Sequence, residues 1–426
     1  MATLELYLLS FNCARNLINP HILAPHLFDA LPKNRPPPDV IVLSLQEVAP
    51  IACAFLGGSL LNPYLERVIE TIDFATKARY DAAKPYEVVI ARHVGMTVLM
   101  VFAQPDIANQ VKWKQSAGVG VGLWEMGNKG AVSTRICLES AAGETELTFT
   151  AAHLAPFEIG VLRRNQDWEN IVRNLVFSPL DESTKPPQES DGGDETQPLL
   201  SEDNQTQPLL SGLFKEHNHI FFAGDLNYRT SSTGPDPSDY LSFPQPGPDN
   251  SPQHFSKWLQ RDQLKQEQAG KRTLQGLTEA PITFPPTYKY SHASAGKPSK
   301  QPVPSGTSEP ESWSWSPRRF PSWCDRILFT PTGAKINGYT ALPVQETSDH
   351  RPVALSVTVP TNVSEPVIDP PFPLNPQWKE RRAAARRREF IVGVLAYLTM
   401  TGEGNAIVVG LLAGIVGGWF LIRAAL

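Results

Sequence analysis

Apolar residues in this chain come in short runs that end on polar ones. The runs at 4–11, 39–45, 86–92, 96–103, 131–137, 147–154, 220–223, 321–329 and 346–359 are rich in Val, Ile, Leu and Phe, and many are bounded by Pro, Gly or charged residues. That pattern predicts strands buried on both faces. Helical spacing is rarer. Leu61, Leu65, Val68, Ile69 and Ile72 predict a helix over 60–79, and Ile159, Leu162, Trp168, Ile171, Val172 and Leu175 predict an amphipathic helix over 158–176 with those six on its apolar face. A third helix is expected over 254–265, and 282–290 reads as a short extended piece. Repeated strands with few helices between them fit a mixed α/β domain of packed sheets better than a doubly wound parallel fold.

The strand ends carry the candidate chemistry: Asn12, Glu47, His153, Asp225, Asn227, Asp325, Asp349 and His350. After the 220–223 run, Gly224 marks a turn or a close approach, and Asp225 and Asn227 follow two apart. If the chain stays extended, they share one side while Leu226 points into the core. Asp and Asn are also ordinary turn residues, so this stretch alone leaves a site and a turn both open. If the strand ends converge, they bring together carboxylates for a hard divalent cation, histidines for charge stabilisation or proton transfer, and amides that orient oxygen ligands. Mg2+ suits such a set, because it takes a few carboxylate oxygens together with waters and phosphate oxygens. Neither a D-x-D-x-D-G calcium loop nor an HExxH zinc motif is present. Lys129 in GNKG, Lys289 in TYKY, and Arg318 and Arg319 supply cations for a substrate with several phosphates, or else are solvated surface charges.

Composition narrows the picture. The chain has 426 residues, 41% of them hydrophobic, enough for one large domain or two ordinary ones. A net charge of −5 gives no whole-molecule attraction to nucleic acid, and none is expected as a partner. Cys13, Cys53, Cys137 and Cys324 are scattered without metal spacing and read as free thiols in a reducing compartment. Glu5 interrupts the first apolar run, so no cleaved signal peptide is expected. Residues 181–211, which hold TQPLLS at 196–201 and 206–211, and residues 291–312 are polar and Pro-rich and are expected to be disordered insertions.

FFAGDLNYR (221–229), PSWCDRIL (321–328), SDHRPV (348–353), GNKG (127–130) and PTYKY (286–290) resemble the inositol polyphosphate 5-phosphatase family, within the endonuclease/exonuclease/phosphatase fold. The likeness covers residues 4–359 apart from the two insertions. It implies a four-layered α/β sandwich of two packed mixed sheets flanked by helices, and Mg2+-dependent removal of the 5-phosphate from phosphatidylinositol 4,5-bisphosphate, the 3,4,5-trisphosphate or soluble inositol polyphosphates. By that resemblance Glu47 is a metal ligand with Asn12 beside it, Asp225 orients and deprotonates the attacking water, and Asn227 holds the water or the phosphate. His153 stabilises the transition state, His350 binds the scissile phosphate, Asp325 orients His350, and Asp349 completes the metal and phosphate shell. Asn128 and Lys129 are implied to contact the 1-phosphate, and Tyr288, Lys289 and Arg319 the 4-phosphate. Two positions depart from the family pattern: Phe157 replaces a second histidine in HLAPF, and Pro317 a basic residue. Related sphingomyelinases and nucleases share part of the pattern, and a catalytically weak membrane-tethered adaptor is the reading from another class.

The C-terminal part differs in kind. Residues 379–388, KERRAAARRR, hold six basic residues in ten, and 406–422 is apolar without a charge. The second stretch can just cross a bilayer, whereas 390–400 is too short and is expected to lie in the interface or to pack on the span. A catalytic domain at 1–359, a Pro-rich then basic linker at 360–388 and an anchor at 389–426 are therefore expected. Such a tail-anchored, fungal-type enzyme would keep its catalytic domain in the cytosol, on the endoplasmic reticulum membrane.

Overall fold

The computed structural model describes residues 2–80, 86–141, 143–180, 211–291, 312–363 and 369–425. Most of both expected insertions, with the TQPLLS copies up to Leu210, lies outside the described residues.

Strands apolar on both faces need cover on both sides, and the chain supplies it by stacking two sheets between helices. The strands are β1 (Thr3–Asn12), β2 (Val40–Gln46), β3 (Glu87–Val94), β4 (Thr97–Ala103), β5 (Val111–Gly120), β6 (Gly130–Ser140), β7 (Gly143–His153), β8 (Ser178–Pro179), β9 (Asn218–Asp225), β10 (Thr278–Glu279), β11 (Asp325–Phe329), β12 (Lys335–Ala341) and β13 (Val353–Pro360). One sheet has six strands in the order β12, β13, β1, β2, β4, β3; the other has seven in the order β10, β11, β9, β7, β6, β5, β8. Most neighbours are antiparallel, but β1 with β2 and β7 with β9 are parallel, so both sheets are mixed.

Side chains alternate between two cores. On β1, Leu4, Leu6 and Leu8 join Phe149, Phe221 and Ile327 of the other sheet in the central core, while Tyr7, Leu9 and Phe11 pack outward with residues of the flanking helices. The helices are α1 (Pro20–Leu23), α2 (Ile51–Leu56), α3 (Asn62–Tyr80), α4 (Pro105–Ala108), α5 (Val161–Asn174), α6 (Gln263–Ala269), α7 (Trp378–Met400) and α8 (Gly402–Ala425). α2 and α3 cover the outer face of the first sheet, and α5 and α6 that of the second, which completes four layers.

Several expectations shift in detail. The 254–265 helix is two 3-10 turns, with α6 starting only after Asp262, whose side chain accepts from the Lys265 N–H and caps the helix. The strand expected from 346 begins at Val353, after a turn at 346–347, and that from 321 begins at Asp325, because Ser322 pairs instead with Tyr288 in an isolated bridge. In the 158–176 helix, Trp168, Ile171, Val172 and Leu175 are buried as expected, but Ile159 and Leu162 are exposed at 84% and 69%. The inward side of that first turn is taken instead by Arg164, which donates to the Phe157 carbonyl, and Asp167, which accepts from the Ala155 N–H.

The tail differs most. Residues 378–400 form one continuous helix, so the basic half of the expected linker is helical, as its Ala, Arg and Glu content favours. α7 does not hang free: it packs along α2, and Arg386 donates to the Phe55 carbonyl. Part of the basic run is thereby engaged within the protein: Arg381 pairs with Glu125, Arg382 with Glu389, and Arg388 donates to the Trp124 carbonyl. Beyond it, α8 is apolar with 24 residues, about 36 Å long and sufficient to cross a bilayer by length and composition.

Candidate active site

Strand register brings the polar ends together. His153 at the end of β7 lies opposite Asp225 at the end of β9, and Asp225 opposite Asp325 at the start of β11, so three functional groups stand abreast on one edge of the second sheet. In the first sheet, Asn12 and Gln46 are paired at the ends of β1 and β2, and Glu47 follows. The turn before β13 joins them, since Ser348 Oγ donates to the Asn12 carbonyl at 2.6 Å and receives the His350 N–H at 3.1 Å. Glu47 and Asn227 both take left-handed backbone angles, φ 45° and 58°, a strained conformation for such residues that concentrates at functional sites.

Asp225 is the node. Its Oδ2 accepts from Asn12 Nδ2 at 2.9 Å and lies 3.2 Å from His153 Nε2 and 3.9 Å from His350 Nε2. His350 Nδ1 is 2.8 Å from Asp325 Oδ2, which also receives the Thr287 hydroxyl at 2.7 Å. Lys129, just before the β6 residue that pairs with His153, places Nζ 2.7 Å from His153 Nε2 and 3.3 Å from Glu47 Oε1. His153 Nε2 can thus accept from the ammonium or donate to Asp225, not both at once.

These contacts separate the charge states. Burial pushes the Asp225 carboxyl up, but His153, His350 and Lys129 together hold it far below the usual carboxylate range. Burial opposes charge on His350, yet Asp325 and Asp225 outweigh it and raise its pKa to about 9. Burial lifts Asp325 to about 6 against the pull of His350. Burial and then Lys129 lower His153, which is neutral at physiological pH. Burial also raises Glu47, but His153, Lys129 and Arg15 bring its carboxyl below its ordinary value. At neutral pH the site therefore holds ionised carboxylates, a charged His350 and a neutral His153.

A cleft of about 330 Å3 is lined by Asn12, Glu47, Lys129, His153, Asp225, Asn227, Tyr288, Lys289, Asp349 and His350 among others. Asp325 sits behind it, against His350. Asn227 is reached by a turn rather than an extended strand: its N–H bonds to Asp225 Oδ1 at 3.1 Å, and both residues line the cleft, while Leu226 is fully buried. Three expected contacts are placed differently. Asp349 is engaged by Lys289 and stands apart from the cluster in which Asp225, Asp325 and His350 present ligand-type atoms within 4.8 Å of one another. Arg319 does not line the cleft; it pairs with Glu158 at 2.9 Å beside the Phe157 ring. Asn128 lines not the cleft but an adjoining groove of about 680 Å3, which α7 closes on one side and Lys129 borders on both.

The pattern of strand ends did not single out three further groups. Arg229, inside the quoted motif, donates to Asn227 and lies 4.3 Å above the Tyr288 ring. Arg15 holds Glu47 at 3.4 Å, and Thr287 braces Asp325. For Arg229 the signal was available as an arginine directly after a buried strand end; the other two depend on contacts between distant segments.

The residues present fit a hard divalent cation. Glu47 and Asp225 are ionised oxygen donors facing one cleft, and the cation now beside Glu47 is an ammonium on a flexible stem. The nearest side-chain cluster of metal-binding type, Asp225 with Asp325 and His350, only partly overlaps the Asn12 and Glu47 pair expected from the sequence.

Comparisons with known proteins bear on the family and the fold. Residues 9–356 match the family model described as Endonuclease/Exonuclease/phosphatase family 2. The chain is 28% identical over 319 residues to the type II inositol 1,4,5-trisphosphate 5-phosphatase of Mus musculus, covering 74% of this chain and 26% of that protein. It is 29% identical over 321 residues to a polyphosphatidylinositol phosphatase of Saccharomyces cerevisiae, covering 74% and 23%. It thus spans about a quarter of the length of these relatives. The inositol polyphosphate 5-phosphatase domain of a synaptojanin, solved with inositol 1,4-bisphosphate and a calcium ion, superposes with TM-score 0.60 at 21% identity and covers 92% of each chain. A Cimex nitrophorin superposes at TM-score 0.50 and 18% identity over 84% of this chain and 99% of its own, so the architecture by itself does not define a chemistry. With the greater part of its length matched by one family model, the chain belongs to endonuclease/exonuclease/phosphatase family 2.

Proposed function

We propose that this chain is a Mg2+-dependent phosphoinositide 5-phosphatase that converts phosphatidylinositol 4,5-bisphosphate to the 4-phosphate. The observation that carries the reading is Asp225 Oδ2, met by Asn12, His153 and His350 from three separate segments in one buried cleft. The relatives named for 5-phosphatase activity support the same class.

Asp225, ionised and buried, is the base that orients the attacking water and takes its proton, and Asn227 and Asn12 fix that water and the carboxylate. His350, charged at neutral pH and backed by Asp325, holds the scissile phosphate oxygens. His153 stands on the side of Asp225 away from Asp325 and stabilises the charge that grows on the phosphoryl group. Glu47, with Asn12 beside it, would hold Mg2+, which when bound draws charge from the phosphoryl oxygens. Lys289, with Asp349 as its partner, and Tyr288 contact the 4-phosphate, and Asn128 and Lys129 reach the 1-phosphate from the adjoining groove that both line.

The lipid character of the substrate is supported by Leu123, Trp124, Phe157, Ile159 and Leu162, all exposed on segments around the cleft and groove. We assign the catalytic domain to residues 1–359 and the membrane span to α8. The basic flank supports a cytosolic catalytic domain, and the uncharged core of α8, residues 406–422, about 26 Å long, supports the thinner endoplasmic reticulum membrane. Phosphate release, together with chromatography of the organic products, tests the reading: the chain is offered phosphatidylinositol 4,5-bisphosphate, the 3,4,5-trisphosphate, soluble inositol phosphates, sphingomyelin and DNA, with Mg2+ or with a chelator. Release from the 4,5-bisphosphate that is abolished by the chelator and by Asp225→Ala supports it; equal signals in all samples, or turnover confined to sphingomyelin or DNA, reject it.

A further inference from the structure

Glu389 is fully buried although it sits in a helix that leads to a membrane span. A buried carboxylate must be paired and hydrogen-bonded to be tolerated. Its Oε1 accepts the backbone N–H of Gly127 at 2.8 Å, across 262 positions of sequence, and lies 2.9 Å from Arg382 Nη1, while Oε2 lies 3.5 Å from Arg386 Nη1. Gly127 opens the GNKG segment that presents Asn128 to the groove and Lys129 to the cleft.

The same segment is gripped from its other side. The Gly127 carbonyl accepts the Met96 N–H at 3.0 Å, and a Cβ on Gly127 would stand 2.7 Å from Gly95 N, so only glycine fits between the two backbones. The helix is itself held close: a Cβ at Gly393, one turn after Glu389, would come within 3.1 Å of Phe55 and Leu56 of α2.

We propose that Glu389 is a positioning residue, through which the juxtamembrane helix α7 sets the segment carrying Asn128 and Lys129. α7 is then a structural part of the substrate site, and the cleft keeps a fixed attitude to the bilayer rather than swinging on a linker. The effect on turnover rests on the 5-phosphatase reading; the hydrogen bond itself does not.

The test uses the full chain in nanodiscs, with amide hydrogen exchange of residues 123–130 and kinetics on dioctanoyl phosphatidylinositol 4,5-bisphosphate, whose solubility removes membrane docking from the readout. In the wild type, the Gly127 amide exchanges as slowly as the strands beside it. Glu389→Leu speeds exchange there roughly 10- to 100-fold, the range for a lost hydrogen bond to a charged group. It lowers kcat/KM by about tenfold, mainly through KM. Glu389→Gln, which keeps an acceptor oxygen, stays near wild type in KM, and Phe390→Ala, on the exposed side of α7, changes neither quantity. Fast exchange at Gly127 in the wild type overturns the proposal even if Glu389→Leu fails to fold. Faster exchange with unchanged kcat and KM also overturns it, leaving Glu389 a purely structural residue. A wild type that releases no phosphate from any 5-phosphorylated substrate rejects the function instead, and exchange at Gly127 then decides the latch by itself.

Discussion

Replacing Asp325 with asparagine removes one charge from the pair behind the cleft while keeping shape. Asp325 Oδ2 lies 2.8 Å from His350 Nδ1, and it is the strongest of the influences that raise His350 to about 9. A charge pair about 4 Å apart at an effective dielectric of about 20 is worth roughly 4 kcal/mol, and each pKa unit is about 1.4 kcal/mol. A fall of about 2 units, to roughly 7, is a conservative expectation for Asp325→Asn. The raised group is charged below its pKa, so wild-type kcat/KM holds through neutral pH and is lost as pH rises through about 9. In Asp325→Asn the charged fraction at pH 8 drops from about 0.9 to about 0.1, while at pH 6 it stays near 0.9. Phosphate release from dioctanoyl phosphatidylinositol 4,5-bisphosphate between pH 5.5 and 10 should thus show about a tenfold deficit at pH 8 that closes at pH 6. An unshifted basic limb, or an equal loss at every pH, would refute the assignment of His350 as the charged phosphate ligand tuned by Asp325.

Other outcomes follow from the same contacts. His93, half-buried near Arg386, Arg382 and Arg92, with Glu389 opposing them, has its pKa lowered to about 4, first by burial. Its neutral form therefore adds stability that is lost as pH falls from about 6.5 through 4; chemical denaturation should show His93→Gln losing about 3 kcal/mol less than wild type over that window. Gly393→Leu pushes side-chain atoms into Phe55 and Leu56, and thermal unfolding should register a cost of about 1–3 kcal/mol together with loosening of α7. Removing residues 402–426 should abolish flotation with liposomes and leave turnover of the soluble short-chain lipid within about threefold, because no residue of α8 lines the cleft. Retained flotation would place the anchor elsewhere.

Much of the candidate site was legible because its residues sit at strand ends, where an apolar run followed by a polar residue is a local signal. His153, Asp225 and Asp325 fall into register across β7, β9 and β11 once those strands pair, so reading the runs was nearly enough to read the row. The fold class was legible for the same reason, since strands apolar on both faces need two covering layers. What escaped depends on segments distant in sequence. Ile159 and Leu162 have helical spacing, but Arg164 and Asp167 hold the 155–157 segment and turn those two outward. The pairing of Lys289 with Asp349, and of Arg319 with Glu158, is set by how loops meet. The tail misled most: a charged run before a span resembles a solvated linker, and only the docking of α7 on α2 shows that Glu389 is interior.

The account stands or falls on which phosphate leaves. The 426-residue chain is incubated with phosphatidylinositol 4,5-bisphosphate and Mg2+, and the product is followed by 31P NMR. Disappearance of the 5-phosphate resonance with the 4-phosphate retained, and none of this with Asp225→Ala, is the predicted result. Loss of the 4-phosphate, cleavage at the 1-phosphodiester, or an unchanged spectrum would contradict it.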